Sequence, residues 1–504
     1  MSGSAWSLLP VLLAVGLSIG TRHVVLSLGA GVLCAALLLQ GGDPFAALVY
    51  AADTLVLGAI ADKDHAKVTL FSLFVAATVA VVSRAGGTTA LVGLVARVAH
   101  GRRSAMAAAW ISGAIVFFDD YANCLVVGHG MRPLFDRAKV SREKLAFITD
   151  ATAAPVASVA MVGTWVGYEV GLLDEALKAA GRTEDAYALF LEGLPYRFYP
   201  WVLLALVGAV ALLGRDFGPM RAAEARALRG PPPPDADAGD AAVPPAWVAA
   251  LAVLPIGALL GWTALSLWRQ GSAAVGPDAP LFRIIGAADG YQAMLEASVV
   301  SLALAGALAL ASRRLGPRAV ADGAMQGMAG LFEALVVLVL AWSLAGAIES
   351  LHAADFVVAV LGPHLPASLL PTAIFVAAAA LSFATGTSFG TMGVLVPLVI
   401  PLTIGVDPAL LVPASAAVLS GAIWGDHCSP ISDTTVLSAT ASGCDLHAHV
   451  ETQLPYALAG GALAVLFGTL PSGFGVPAWP CVLAGCLAAI ALVRWAGRPP
   501  ALSP

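Results

Sequence analysis

Asp426 and Asp433 stand on either side of a proline in the stretch IWGDHCSPISDTT, Ile423 to Thr435, together with His427, Cys428, Ser429, Ser432 and Thr434. Apolar, small-residue runs flank it, LLVPASAAVLSGA before and VLSATASG after. Two more polar clusters interrupt apolar runs in the same way. FFDDYAN, Phe117 to Asn123, holds Asp119 and Asp120; TDATAAPVASVAMVGTW, Thr149 to Trp165, holds Asp150 ahead of Pro155. Carboxyl groups inside hydrocarbon are expensive, and where they occur they mark ion or substrate pathways by default. A proline disrupts the helix ladder and frees a backbone carbonyl. Freed carbonyls, carboxylates and hydroxyls are hard oxygen donors, the set that suits a hard cation. The clusters are therefore read as lining an ion or substrate site.

Each residue also has a plainer reading. Asp119 and Asp120 could cap a returning helix, and capping can coexist with binding. Asp150 lies within a turn or two of a basic loop and could be interfacial. His427 beside Cys428 suggests a soft metal, but adjacent residues rarely converge on one ion, and no second His/Cys pair stands nearby. Glu333, in LFEALVVLVL, is either a lone proton site or a carboxyl hydrogen-bonded between helices. Glu169, in TWVGYEVG, is read as interfacial, in company with Trp165 and Tyr168. The hydroxyls of Thr387, Ser388 and Thr391 in GTSFGT could ligate a cation or satisfy one another.

The elements that must carry these residues follow from composition. The chain has 504 residues, of which 59% are hydrophobic and 12% charged. A soluble domain carries about 25% charged residues, and the mean hydropathy here is +0.86. Apolar runs near the ~20 residues that span a bilayer recur along the chain. The expected fold is an all-α polytopic membrane protein; the short alternating segments of a β-barrel are absent from the sequence. The net charge of −6 says little about orientation. The six cysteines form no CxxC or zinc spacing and are expected to be free thiols. The first apolar run, WSLLPVLLAVGLSIG, has no basic residues before it and is read as a helix that stays in the chain.

Basic residues set the topology. Arg102 and Arg103 precede the 105–130 run, and Arg132, Arg137, Lys139, Arg142 and Lys144 follow it. Both flanks should be cytoplasmic, so 105–130 is expected to enter and leave by one face as a re-entrant hairpin with FFDDYAN at its tip. Segment 146–172 then crosses outward as a broken helix. Residues 372–401 would span ~46 Å if fully helical, against a ~30 Å bilayer core. A break at Ala384–Thr391 makes them a second hairpin, and 409–440 a second broken helix. The order helix, hairpin, interrupted crossing, helix thus occurs twice, the second time upside down, around a Pro-rich cytoplasmic linker. The repeats are 1–214 and 246–504, and the linker is 215–245. Inverted repeats with broken helices are how many secondary transporters are built. Laid over each other, the broken helices match Pro155 with Pro430 and Ser158 with Asp433.

The stretches FFDDYANCLVVGHGMRPLFDRAKVSREKLAFITDATAAPVASVAMVGTWVGYE and GAIWGDHCSPISDTTVLSATASGCDLHAHVETQLPYAL resemble the NhaC-type sodium/proton antiporter family. The resemblance covers about residues 65–170 and 325–460. It implies a multi-pass secondary transporter of the bacterial inner membrane with paired hairpins and elevator-type alternating access. The family pattern falls here on Asp119, Asp120, Asn123, Asp150, Thr152, Asp426, His427, Ser429, Pro430, Ser432, Asp433 and Thr434. Some relatives exchange organic acids or carry amino acids, so the alternative cargo is a small organic solute.

The expected mechanism places Asp426 and Asp433, with Asp119 or Asp120, around one site that binds sodium or a proton in turn. An unpaired carboxylate at this depth is penalised by desolvation, so the transport unit moves only when the charge is covered. Sodium is assigned to Asp120, Asp426 and Asp433. Sodium ion, proton and membrane lipid are the expected partners, with a homodimer expected by analogy; no cofactor and no nucleic acid are expected. A rival from another class is an intramembrane aspartyl hydrolase, in which two aspartates share a proton. Paired broken segments have no reason in such an enzyme, and the sequence has no HExxH motif.

Overall fold

A computed structural model describes residues 5–21, 23–97, 99, 101–161, 163–230, 244–278, 284, 287–352, 366–430 and 432–500. The described residues form helices and no strand, with one isolated bridge, Asp216 to Arg498. Ten of the described helices are long and apolar enough to cross a membrane, or up to twelve if each of two bent pairs is one span. The six cysteines form no disulfide.

The helices that bear the polar clusters are α1 (Arg102–Ile115), α2 (Asp120–Arg137), α3 (Arg142–Thr152), α4 (Ala154–Val159), α5 (Thr164–Ala179), α6 (Phe198–Leu213), α7 (Pro219–Arg229), α8 (Leu370–Thr385), α9 (Ser388–Val406), α10 (Leu411–Cys428), α11 (Asp433–Ser442), α12 (Leu446–Ala464) and α13 (Ala478–Trp495). Several of the apolar runs are interrupted. The 105–130 run divides between α1 and α2 just before Asp120, and the Asp119 carbonyl accepts the Asn123 N–H at 3.0 Å, opening α2. The 372–401 run divides at Gly386, which ends α8 at φ 69°, a left-handed conformation natural to glycine. Thr387 then caps α9, its hydroxyl accepting the Gly390 N–H at 3.2 Å.

The two broken crossings differ in detail. In the second, Ser429 to Ser432 separate α10 from α11, and Pro430 lies within that gap. The first is broken twice: at Ala153, between α3 and α4, and again before Thr164. Its two parts are bent by 48°. Pro155 sits in the first turn of α4, where its missing N–H is tolerated. The match of Pro155 to Pro430 therefore holds as chain order and not as local conformation. Ser158 closes α4, its hydroxyl turned back onto the Pro155 carbonyl at 2.9 Å, and plays no part comparable to Asp433.

The packing has a repeated pattern. The first helix of each hairpin lies on the first part of the broken crossing that follows it, α1 on α3 and α8 on α10. The second helix of each hairpin lies on the far part of the other crossing, α2 on α11 and α9 on α5. Small residues allow the closest of these approaches. A Cβ added at Gly425 would lie 2.1 Å from the Ala379 carbonyl oxygen and 2.8 Å from the Phe383 nitrogen, both backbone atoms of α8. Gly425→Ala must therefore push α10 off α8 and carry Asp426 with it. The expected outcome is a loss of about 1–3 kcal/mol, read as a lowered melting temperature of the purified chain.

The basic face is held by buried ion pairs. Lys144 and Asp216, both almost fully enclosed, pair with each other, and Tyr456 donates to the same Asp216 oxygen. Within the expected linker, 219–229 is a packed helix: Glu224 of α7 is 1% exposed, pairs with Arg102, and accepts the Ser141 N–H and hydroxyl at 2.8 and 2.7 Å. Residues 231–243, which include the Pro run, lie outside the described residues.

Candidate functional site

Asn123, in the first turns of α2, ties three chain ends together. Its side-chain amide donates towards the carbonyls of Gly113 at 2.7 Å and Val116 at 3.1 Å, at the end of α1, and of Thr152 at 2.8 Å, at the end of α3. Helix ends leave carbonyls without intrahelical partners, and a buried amide meets that need at the first hairpin tip and the first break together. The Thr152 hydroxyl is turned onto its own helix, at 2.8 Å from the Ile148 carbonyl. Thr152 thus meets Asn123 through its main chain, while its hydroxyl stays on its own helix.

Two polar centres grow from this hub. In the first, Asp120 is 4% exposed and Asp426 3%, whereas Asp433 is exposed. The Tyr121 hydroxyl donates to Asp433, and the Tyr121 N–H reaches Asp120 Oδ1 at 3.0 Å, so one residue of α2 links the two acids. Asp433 also accepts the Thr434 N–H at 2.8 Å, at the start of α11. There its charge faces the positive end of a helix. Asp426 Oδ2 accepts the Ser388 hydroxyl at 3.0 Å from the tip of the second hairpin, while its Oδ1 has no hydrogen-bond partner among the described residues. The acids act on one another electrostatically: Asp433 on Asp120 and Asp426, and Asp150 on Asp426 and Asp433.

The second centre surrounds Asp150, which is 1% exposed. Asp150 Oδ2 accepts Gln453 Nε2 at 2.6 Å and the Thr435 hydroxyl at 3.1 Å. His449 Nε2 and His427 Nε2 stand 3.4 and 3.8 Å from the same oxygen. Tyr199 of α6 holds His427 at Nδ1, at 2.7 Å. Gln453 donates as well to the His427 carbonyl at 2.8 Å, which fixes the end of α10 against α12.

The other predicted residues hold the breaks together. The Ser429 hydroxyl donates to the Phe383 carbonyl at 2.9 Å and so joins the second break to the second hairpin. Ser432 and Thr434 share a hydroxyl contact of 3.1 Å. Thr387 caps its own helix, and the Thr391 hydroxyl is buried without a partner among the described residues. Asp119 is half-buried at the mouth of α2.

Two expectations change. The carboxyls of Asp120, Asp426 and Asp433 do not close around one point: among the described residues no three His, Cys, Asp or Glu side chains gather tightly enough to hold a metal ion. Tyr121 takes up one Asp433 oxygen instead. Glu169 is not interfacial but 0% exposed, paired with an equally buried Arg197 at 2.7 Å. The Glu333 side chain lies outside the described residues. Reasoning from sequence also passed over Tyr121, Thr435, Ser438, His449 and Gln453. The spacing of His449 and Gln453, one helical turn apart in LHAHVETQLPYAL, sets both on one face and was the available signal.

Comparison with known proteins adds a second line of evidence. A model described as the Na+/H+ antiporter family matches residues 156–470. An uncharacterized protein of Haemophilus influenzae is 31% identical over 480 residues, covering 94% of this chain and 92% of that protein. A malate-2H(+)/Na(+)-lactate antiporter of Bacillus subtilis is 40% identical over 87 residues, 17% of this chain and 18% of its own. Among solved structures, the YdaH transporter of Alcanivorax borkumensis superposes with a TM-score of 0.59 over 89% of both chains at 15% identity, a likeness of fold.

Proposed function

Because this chain belongs to the Na+/H+ antiporter family, we propose that it exchanges sodium for protons across a bacterial inner membrane by alternating access. The observation that carries the reading is the gathering of Asp120, Asp426, Asp433 and Asp150 from three broken elements of an apolar helical body. Isolated charges in hydrocarbon are heavily penalised, so each must be covered before the transport unit moves.

Sodium is held in the first centre, by Asp433 with oxygen atoms from the Asp426 and Ser388 side, and Asp120 contributes charge. Tyr121 covers Asp433 when the ion is away, through the hydroxyl it donates to that acid. The proton belongs to the second centre: Asp150 faces two imidazoles, and one proton shared among the three leaves the group neutral overall. Because Asp150 acts on both Asp426 and Asp433, filling one centre changes the energy of filling the other. That linkage couples the two fluxes. The reciprocal packing of hairpins and crossings supports two inverted repeats, with the hairpins and broken helices moving as an elevator unit, and a homodimer is proposed by analogy with such carriers.

A second reading rests on the malate/lactate relative: the same centres would serve a sodium- or proton-coupled carrier of a small organic acid or amino acid. Purified chain in proteoliposomes loaded with a pH-sensitive dye separates the two. Sodium-evoked proton movement that potassium does not reproduce is the expected result. Proton movement that ignores sodium but answers malate, lactate or an amino acid would establish the organic cargo instead.

A further inference from the structure

On the basic face a cavity of about 510 Å³ is lined by Arg103, Leu213, Arg215, Arg494 and Trp495, none of them a member of either polar centre. It lies where the start of α1 meets the ends of α6 and α13. Three arginines line it, and no carboxyl does among the described residues. The nearby acids are already committed: Asp216 to Lys144 and Tyr456, and Glu224 to Arg102 and Ser141. Arg215 is fixed in place by donating to the Arg494 carbonyl.

Two of the three arginines have a ready explanation. Arg494 is in the last turn of α13, and Arg215 follows the end of α6, where a cation complements the helix dipole. Arg103 is the exception. It lies in the first turn of α1, where the dipole opposes a positive charge and favours an anion. The cavity therefore gathers like charges at a place where one of them is held against the local field. Its other walls are Leu213 and the indole of Trp495, which is 82% exposed. Exposed tryptophans of this kind sit at the headgroup level of a bilayer, and basic pockets between helix ends on that level accept phosphate headgroups.

We propose that this arginine cavity binds a phosphate-bearing anion, the headgroup of an anionic phospholipid or a free phosphate, with Arg103, Arg215 and Arg494 as its donors. Guanidinium forks match phosphate oxygens in pairs, Leu213 and Trp495 supply the wall against which acyl chains would lie, and the bound charge relieves the repulsion among the three arginines. The inference stands whatever the chain transports.

The test uses the full chain purified in detergent. Phosphatidylglycerol, phosphatidylcholine and inorganic phosphate are titrated in separate arms, and binding is read by native mass spectrometry and by the shift in melting temperature. Phosphatidylglycerol is expected to be retained and protective where phosphatidylcholine is not. R103Q/R215Q/R494Q should weaken its binding about a hundredfold, since each arginine near an anionic headgroup contributes about a factor of five. If the triple variant fails to fold, R103Q alone should show the single factor of about five. Protection by phosphatidylglycerol alone identifies a lipid headgroup; equal protection by inorganic phosphate that is lost in the variants identifies a soluble anion at the same donors. Phosphatidylcholine acting as well as phosphatidylglycerol, or variants that bind as the unaltered chain does, would overturn the proposal.

Discussion

If the chain exchanges sodium for protons as proposed, Asp433→Asn reduces sodium-evoked proton flux in proteoliposomes to about one tenth or less of the unaltered rate, since a contact to a charged group contributes about 1.5–3 kcal/mol. Asparagine keeps the shape and one carbonyl oxygen, which can serve the Thr434 N–H or the Tyr121 hydroxyl but not both, since these donors meet different carboxylate oxygens. What it removes is the negative charge that a cation must meet. Because Asp433 is the exposed member of its centre, the substitution leaves packing alone, and the variant should melt within a few degrees of the parent. Activity and stability therefore separate. A variant that keeps its flux to within about twofold would remove Asp433 from the exchange reaction.

The second large effect is on stability. Glu169→Gln leaves the Arg197 guanidinium charged, 0% exposed and without its counter-ion. The Arg197 Nε and one terminal nitrogen already have no hydrogen-bond partner among the described residues. Its remaining supports are the Ser158 carbonyl and the face of Phe190, 4.6 Å from the ring centre. Breaking a buried pair in this way is expected to destabilise by about 3–5 kcal/mol, and Arg197→Met with Glu169→Gln should recover most of it, because a paired loss strands no charge. Thermal unfolding of the two variants decides the matter. A double variant as unstable as Glu169→Gln alone would show that the helix junction, and not the stranded charge, sets the loss.

Much of the fold could be read from the chain because each break carries its own local cause. Gly386 with Thr387, the Pro430 gap and the acidic start of α2 all announce themselves in apolar surroundings. Asp120, Asp150, Asp426 and Asp433 were legible for the same reason: a carboxyl in hydrocarbon is conspicuous. Their partners were less so. Tyr121 and Gln453 look ordinary in sequence, and which acid each serves depends on how α2, α11 and α12 pack. Glu169 was misread because nothing local points to Arg197, which lies 28 positions away. A tryptophan and a tyrosine beside a glutamate look alike at a membrane surface and in a protein interior; the distinction lies in what covers them.

If the chain carries sodium as proposed, the Asn123 hub bears on where ion selectivity would originate. A single carboxamide, with two N–H groups to share, faces the main-chain oxygens of Gly113, Val116 and Thr152, so these dipoles of the first half are in part engaged before a cation arrives. Stripping water from a small alkali cation then falls mainly to the hydroxyl-rich second half, around Ser388 and Asp426. Discrimination between lithium, sodium and potassium should accordingly respond to edits there, while edits at the carboxamide loosen the joint and leave the ranking of ions unchanged.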